Sequence, residues 1–110
     1  MFDKYQAKLN KWIIEYEVSG EISITFSKME GKLGYTKLKT GRCEIYINNV
    51  IESSDFASTS TLWHEYCHAE RWLKYNKSDY HSTEWMMCMA RKPLYVIGCV
   101  YSQLYYKIHK

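Results

Sequence analysis

The sequence predicts an α+β domain: an N-terminal helix, a small three-stranded and mainly antiparallel sheet, then helices to the C-terminus. Three observations carry that expectation. Apolar residues recur at helical spacing in the opening segment. Three short segments between residues 22 and 48 alternate apolar with polar, the period of a strand. From residue 53 onward helical periodicity returns, set off by capping residues.

The first helix is expected over residues 2–17. Phe2, Tyr5, Leu9, Trp12, Ile13 and Tyr16 line one face, and Ser19-Gly20 ends it. Ile22, Ile24 and Phe26 then alternate with Ser23 and Thr25. Glycines at 31, 34 and 41 punctuate the next stretch, within which Tyr35 to Leu38 form a second strand. Glu44 to Asn48 form a third, with Ile45 and Ile47 on one face. Tight connections between short strands favour antiparallel pairing.

Ser53, Ser54 and Asp55 offer capping oxygens for the next helix, and Ser58 or Ser60 would serve equally. That helix runs to about Tyr75, where Asn76 takes a left-handed cap. Leu62, Tyr66, Ala69 and Leu73 are its buried stripe. Ser82 caps a further helix that Pro93 stops near Arg91, and a last helix runs from Pro93 through Ile108.

Length and composition narrow the function classes. The chain has 110 residues, the size of one domain. With 46% hydrophobic and 25% charged residues it is neither disordered nor of low complexity. Its longest apolar stretch, Leu94 to Tyr101, is far short of the ~20 residues a bilayer needs, and the first twenty residues carry no secretory pattern. A cytoplasmic protein with no membrane partner is expected. Cys43, Cys67, Cys88 and Cys99 show no C-x-x-C spacing, so free thiols are expected as well.

The net charge of +3 is unevenly spread. Residues 28–42 hold Lys28, Lys32, Lys37, Lys39 and Arg42 against Glu30 alone. Residues 43–70 hold Glu44, Glu52, Asp55, Glu65 and Glu70 with no Lys or Arg, and no acid follows Glu84. An acidic middle between basic flanks suits a cation site beside a polyanion-facing surface.

The chemistry concentrates in His64-Glu65-Tyr66-Cys67-His68, an H-E-x-x-H run on the predicted helix. Histidines at i and i+4 share one face about 6 Å apart, so both imidazoles reach one Zn²⁺. Glu65 lies roughly 100° further around the helix. It stands beside the metal rather than on it, the place for a general base acting on metal-activated water. A catalytic zinc takes three protein ligands and keeps one open position. His81, just past the loop that ends this helix, is the expected third. Glu84, one turn further on, is its rival, and Asp79 is placed to accept an N–H from a ligand imidazole. His109 falls near the C-terminus, as a surface residue.

The run from His64 through Leu73, followed by Asp79-Tyr80-His81-Ser82-Thr83-Glu84-Trp85, resembles the SprT-like (Spartan-like) zinc metallopeptidases. Their pattern is H-E-x-x-H-A, an aromatic four residues after the second histidine, then H-G-x-x-F/W. The chain matches it at all three histidines, Glu65, Ala69, Trp72 and Trp85, and the resemblance spans roughly residues 20–92. Ser82 stands where the family has Gly. The zinc-ribbon module that follows the catalytic domain in many members has no counterpart here, which fits a minimal catalytic domain of the kind a phage or compact genome encodes.

The resemblance implies a zincin-like fold and one Zn²⁺ per chain on His64, His68 and His81. It implies hydrolysis of peptide bonds in a protein or peptide substrate, with Glu65 taking a proton from water and returning it to the leaving amine. Tyr80 and Tyr95 are candidate oxyanion stabilisers. The family's best-known role, cleaving proteins crosslinked to DNA, implies DNA as a partner, contacted here by Lys32, Lys37, Lys39 and Arg42. The competing class is a zinc-containing regulatory or binding protein with no general protease activity. Of the remaining residues, Trp63, Trp72 and Trp85 are expected to pack, and Cys67 to fill buried space. Met86, Met87 and Met89 are expected to pack on the last helix, and Tyr95, Tyr101, Tyr105 and Tyr106 to form a helix face.

Overall fold

Helix α2 (Asp55–Tyr75) is the spine of the fold, and two local devices set its ends. Ser54 accepts the Ala57 N–H at 3.2 Å as its N-cap, and Asn76 closes it at φ 54°, ψ 38°. The computed structural model describes residues 3–78 and 81–110. Phe2, Asp79 and Tyr80 lie outside the described residues, so the roles expected of them do too. Before α2 come α1 (Lys4–Glu15), β1 (Glu21–Ser27), β2 (Gly34–Lys39), β3 (Arg42–Asn48) and a 3-10 turn at Asn49–Ile51. After it come α3 (Thr83–Ala90) and α4 (Pro93–His109). No helix among the described residues is long and apolar enough to cross a membrane.

The α+β class is as expected, but the sheet is mixed rather than mainly antiparallel. Its order is β1-β3-β2. β1 runs parallel to β3, Ile22 beside Cys43 and Phe26 beside Ile47, while β2 pairs antiparallel to β3, Thr36 opposite Ile45. The reason lies in β3, which buries Cys43, Ile45, Ile47 and Asn48. A strand that buried takes the centre, so the chain leaving β1 crosses over to the far edge before returning through the β2–β3 hairpin. Asn48 pins that crossing. Its amide donates to the Met29 and Lys32 carbonyls at 3.0 and 2.9 Å, and its side-chain oxygen accepts the Val50 N–H at 3.0 Å. A fully buried amide is stable only when satisfied in this way.

One face of the sheet packs on α2. α1, capped by Asp3, lays Tyr5, Leu9 and Trp12 into the same core. Trp63 and Tyr66 stack at 5.2 Å, and Trp12 meets Trp63 edge-on at 4.9 Å. Buried Glu70 accepts from Tyr66 at 2.8 Å and from Arg91 at 2.9 Å, joining α2 to the turn after α3. α4 reaches α2 closely because residue 98 is Gly: a Cβ there would overlap the Ser60 side chain. Four residues on, Ser102 donates to the Ala57 carbonyl at 2.9 Å.

Three expectations need correction. Cys67 and Cys88 are joined as a disulfide between α2 and α3, so only Cys43 and Cys99 are free thiols. Cys67 is buried as expected but covalently engaged. The methionines divide as well, because the short α3 turns only one side inward: Met89 enters the core while Met86 and Met87 face solvent.

Candidate metal centre

α2 presents His64, Glu65 and His68 on the side facing β2 and the segment that enters α3. His81, just before α3, places the third imidazole over them. Ring centroids lie 5.2 Å apart for His64–His68, 5.2 Å for His64–His81 and 5.3 Å for His68–His81, a nearly equilateral triangle. One nitrogen from each ring lies within 4.8 Å of the others. Three imidazole donors around one point fit a single zinc ion with a fourth position left over. Protonation agrees with this. Burial and then His81 lower His64 to about 4. Burial, then His64, His81 and Arg71, lower His68 to about 3, and burial lowers His81. Neutral imidazole is the form that binds metal.

Trp85 floors the triangle. Its ring stacks on His81 at 3.9 Å and on His68 at 5.4 Å, and meets His64 edge-on at 5.0 Å. Its Nε1–H donates to the His64 carbonyl at 3.3 Å. The packing expected of Trp85 is therefore packing against the three histidines themselves. His81 has φ 45°, a left-handed backbone uncommon for a non-glycine residue. Ser82, where the family pattern has Gly, is extended at φ −71° and caps α3. The Ser is unstrained there, and the left-handed position is His81 before it.

Glu65 is buried, with Oε2 3.9 Å from His64 Nε2. Burial pushes its carboxyl up to about 7, against the opposing pull of the Thr36 hydroxyl and Lys32. Thr36 Oγ1 donates to Glu65 Oε1 at 2.9 Å.

These groups open into a cleft of about 590 Å³ between β2, α2 and α4. β2 bonds β3 on one side, and its residues Gly34 to Thr36 line the cleft. Two contributors carried no sequence signal. Thr36 is one alternating residue of an ordinary strand. Tyr106 lines the cleft from α4 and accepts the Gly31 N–H at 3.2 Å.

The other candidates lie elsewhere. Glu84 is not among the histidines; it pairs with Arg71 and Lys77, each at 3.6 Å, because α3 turns it toward those cations. Tyr95 packs against Trp12 at 6.4 Å in the core and does not line the cleft, since α4 points that face at α1. Lys32 lines the cleft. Lys39 and Arg42 share Glu44 at 3.2 and 3.9 Å, and Lys37 lies over Tyr46. His109 is exposed, as expected.

The family model described as the SprT-like family matches residues 2–95, which contain every group of this centre. The chain belongs to the SprT-like family. No curated protein and no solved structure matches it significantly. SprT-like proteins are associated with metallopeptidase chemistry and with zinc, and the histidine triangle is the part of this member that fits such an ion.

Proposed function

We propose that this SprT-like domain is a zinc-dependent endopeptidase with Glu65 as its general base. The observation that carries the reading is the juxtaposition of three neutral imidazoles with one buried carboxylate at the end of an open cleft. His64, His68 and His81 would hold the ion. Zinc bound there supplies Lewis acidity to a peptide carbonyl and to water. Glu65 accepts the proton of the attacking water and delivers it to the departing amine nitrogen. Thr36 holds one carboxylate oxygen, leaving Oε2 turned toward His64. The edge of β2 aligns an extended substrate by strand addition, and that favours peptides over compact ligands.

Action on DNA-associated proteins rests on a second feature. Lys37 and Lys39 alternate along β2 with Thr36 and Leu38, so they lie on the sheet face turned away from α2. A polyanion held there with Arg42 leaves the peptide-binding edge free. Such binding falls steeply with salt.

The test is zinc per chain, by elemental analysis after dialysis, for wild type and His81→Ala, followed by hydrolysis of an unfolded labelled protein. One zinc in wild type, its loss in the variant, and hydrolysis dependent on zinc support the reading. One zinc without hydrolysis of any protein leaves a zinc-containing binding protein. No zinc after reconstitution overturns both.

A further inference from the structure

Among the described residues, nothing covers the outward face of α4. Its inner side is already spent on α2 through Gly98 and Ser102. Yet Leu94, Ile97, Tyr101, Leu104 and Ile108 on the other side are 41% to 76% exposed, and Val100 beside them is 64% exposed. At 100° per residue these six fall within an arc of about 120°, along a strip roughly 20 Å long. Gln103 and Lys107 flank the arc rather than interrupt it. A helix that is apolar on both sides is normally buried on both.

The spacing is that of a helix-packing face. Leu94, Ile97, Tyr101, Leu104 and Ile108 are separated by three, four, three and four residues, the a/d seam along which two helices pack. An amphipathic helix lying on lipid shows the same period, so the choice between the two rests on area and on the response to salt. The SprT-like match ends at residue 95, within the first turn of α4, so nearly all of the seam lies past it. We propose that this face pairs two copies of the chain about a two-fold axis, α4 against α4. The strip exposes roughly 600 Å² of apolar surface per copy, close to what a stable two-fold interface removes from each partner. α4 meets the cleft at Cys99, Gln103 and Tyr106, which lie beside the apolar arc and not within it, so pairing through the arc leaves the cleft open.

Charge makes the proposal sharper. Lys107 borders the strip, α4 carries no acid, and each copy has a net charge of +3. Lys92 lies over Tyr16 and Trp63 and Lys110 over Tyr106, away from the strip. Two copies therefore meet through an apolar seam with a like-charged rim. Salt screens the rim, so the pair tightens as ionic strength rises. Binding of the same face to anionic lipid would weaken instead.

The experiment is sedimentation equilibrium on the whole chain over a wide concentration range at low and high salt. It is run for wild type and for I97K/L104K, with circular dichroism and zinc content recorded for both. The expected result is a two-chain species that tightens with salt and a variant, folded and zinc-loaded, whose dissociation constant rises roughly a hundred-fold or more. A wild type that stays monomeric at every concentration and salt overturns the proposal. So does a dimer unaffected by the two substitutions. So does a monomer that binds phosphatidylserine vesicles and is released by salt, which assigns the face to a membrane surface. Should the variant misfold, the concentration and salt dependence of the wild type still decide.

Discussion

Thr36 on β2 and Glu65 on α2 meet through a hydroxyl 2.9 Å from a carboxylate oxygen, across the gap between the sheet and the spine helix. The same hydroxyl lies 3.2 Å from the Glu65 carbonyl. Thr36→Val keeps the shape and removes the donor. We expect it to lower kcat by about ten-fold with KM little changed, a loss of about 1–2 kcal/mol for one charge-assisted bond. Thr36→Ser should restore most of the rate. Steady-state kinetics on the three proteins reads both effects, and an unimpaired Val variant would deny Thr36 any part in orienting Glu65.

Glu65→Gln should abolish hydrolysis while zinc content stays at the wild-type level. The metal-free variant should also be more stable than wild type at neutral pH. Gln accepts the Thr36 hydrogen bond and brings no charge into a site that already pushes the carboxyl up to about 7. Thermal melts after chelation check the second half, and a lower midpoint for the variant counts against a strained buried carboxyl.

Gly98→Ala should destabilise the domain by roughly 1–3 kcal/mol, because the new methyl overlaps Ser60 where α4 crosses α2. Ser60→Gly in the same chain should recover part of that loss. Urea unfolding of the single and double variants measures the coupling.

Reduction of Cys67–Cys88, or the C67S/C88S double substitution, should cost about 3 kcal/mol by the loop-closure argument for a separation of 21 residues. It should also weaken zinc binding, because His68 and His81 both lie within the segment the disulfide closes. Zinc competition titration of the oxidised and reduced protein provides the check. Equal affinities would mean that packing alone aligns the two histidines.

The pairing of α1 with the start of α2 should appear as an acid-limb effect. Lys4, 2.9 Å from Asp55, holds that carboxyl below its usual 3.8, and Tyr5 adds a hydrogen bond at 3.0 Å. A depressed carboxyl stabilises the fold above 3.8, and that contribution disappears as pH falls through the folded value. Asp55→Asn should therefore flatten the loss of stability in that range and leave the dependence near pH 7 unchanged. Melting midpoints across pH 2–8 would show it.

Local signals made most of the architecture legible. Asn76, Ser82 and Pro93 mark helix ends in sequence and mark them in the structure, because a cap depends only on its immediate neighbours; at the start of α2 the sequence offers several oxygens from Ser53 to Ser60, and the structure uses Ser54. The His64–Glu65–His68 spacing is equally local. The parallel pairing of β1 with β3 was not legible: it depends on which strand the core buries most, and alternation in β1 reads the same in either direction. Cys67 and Cys88 sit at an uninformative separation, and they meet only because α3 folds back on α2. Thr36 and Tyr106 become part of the cleft through contacts 29 and 75 residues away in sequence, a range at which spacing carries no information.

β2 is used on every side at once: bonded to β3, open along its edge, turned to Glu65 at Thr36 and to solvent at Lys37. A strand that slips one residue exchanges its two faces. In this domain such a slip would replace the hydroxyl at Glu65 with the ammonium of Lys37, and a carboxylate locked in an ion pair is a poor proton acceptor. The two-residue turn at Thr40-Gly41, with Gly41 at φ 72°, thus guards the register that keeps the Thr36 hydroxyl at Glu65, although neither residue is part of the cleft.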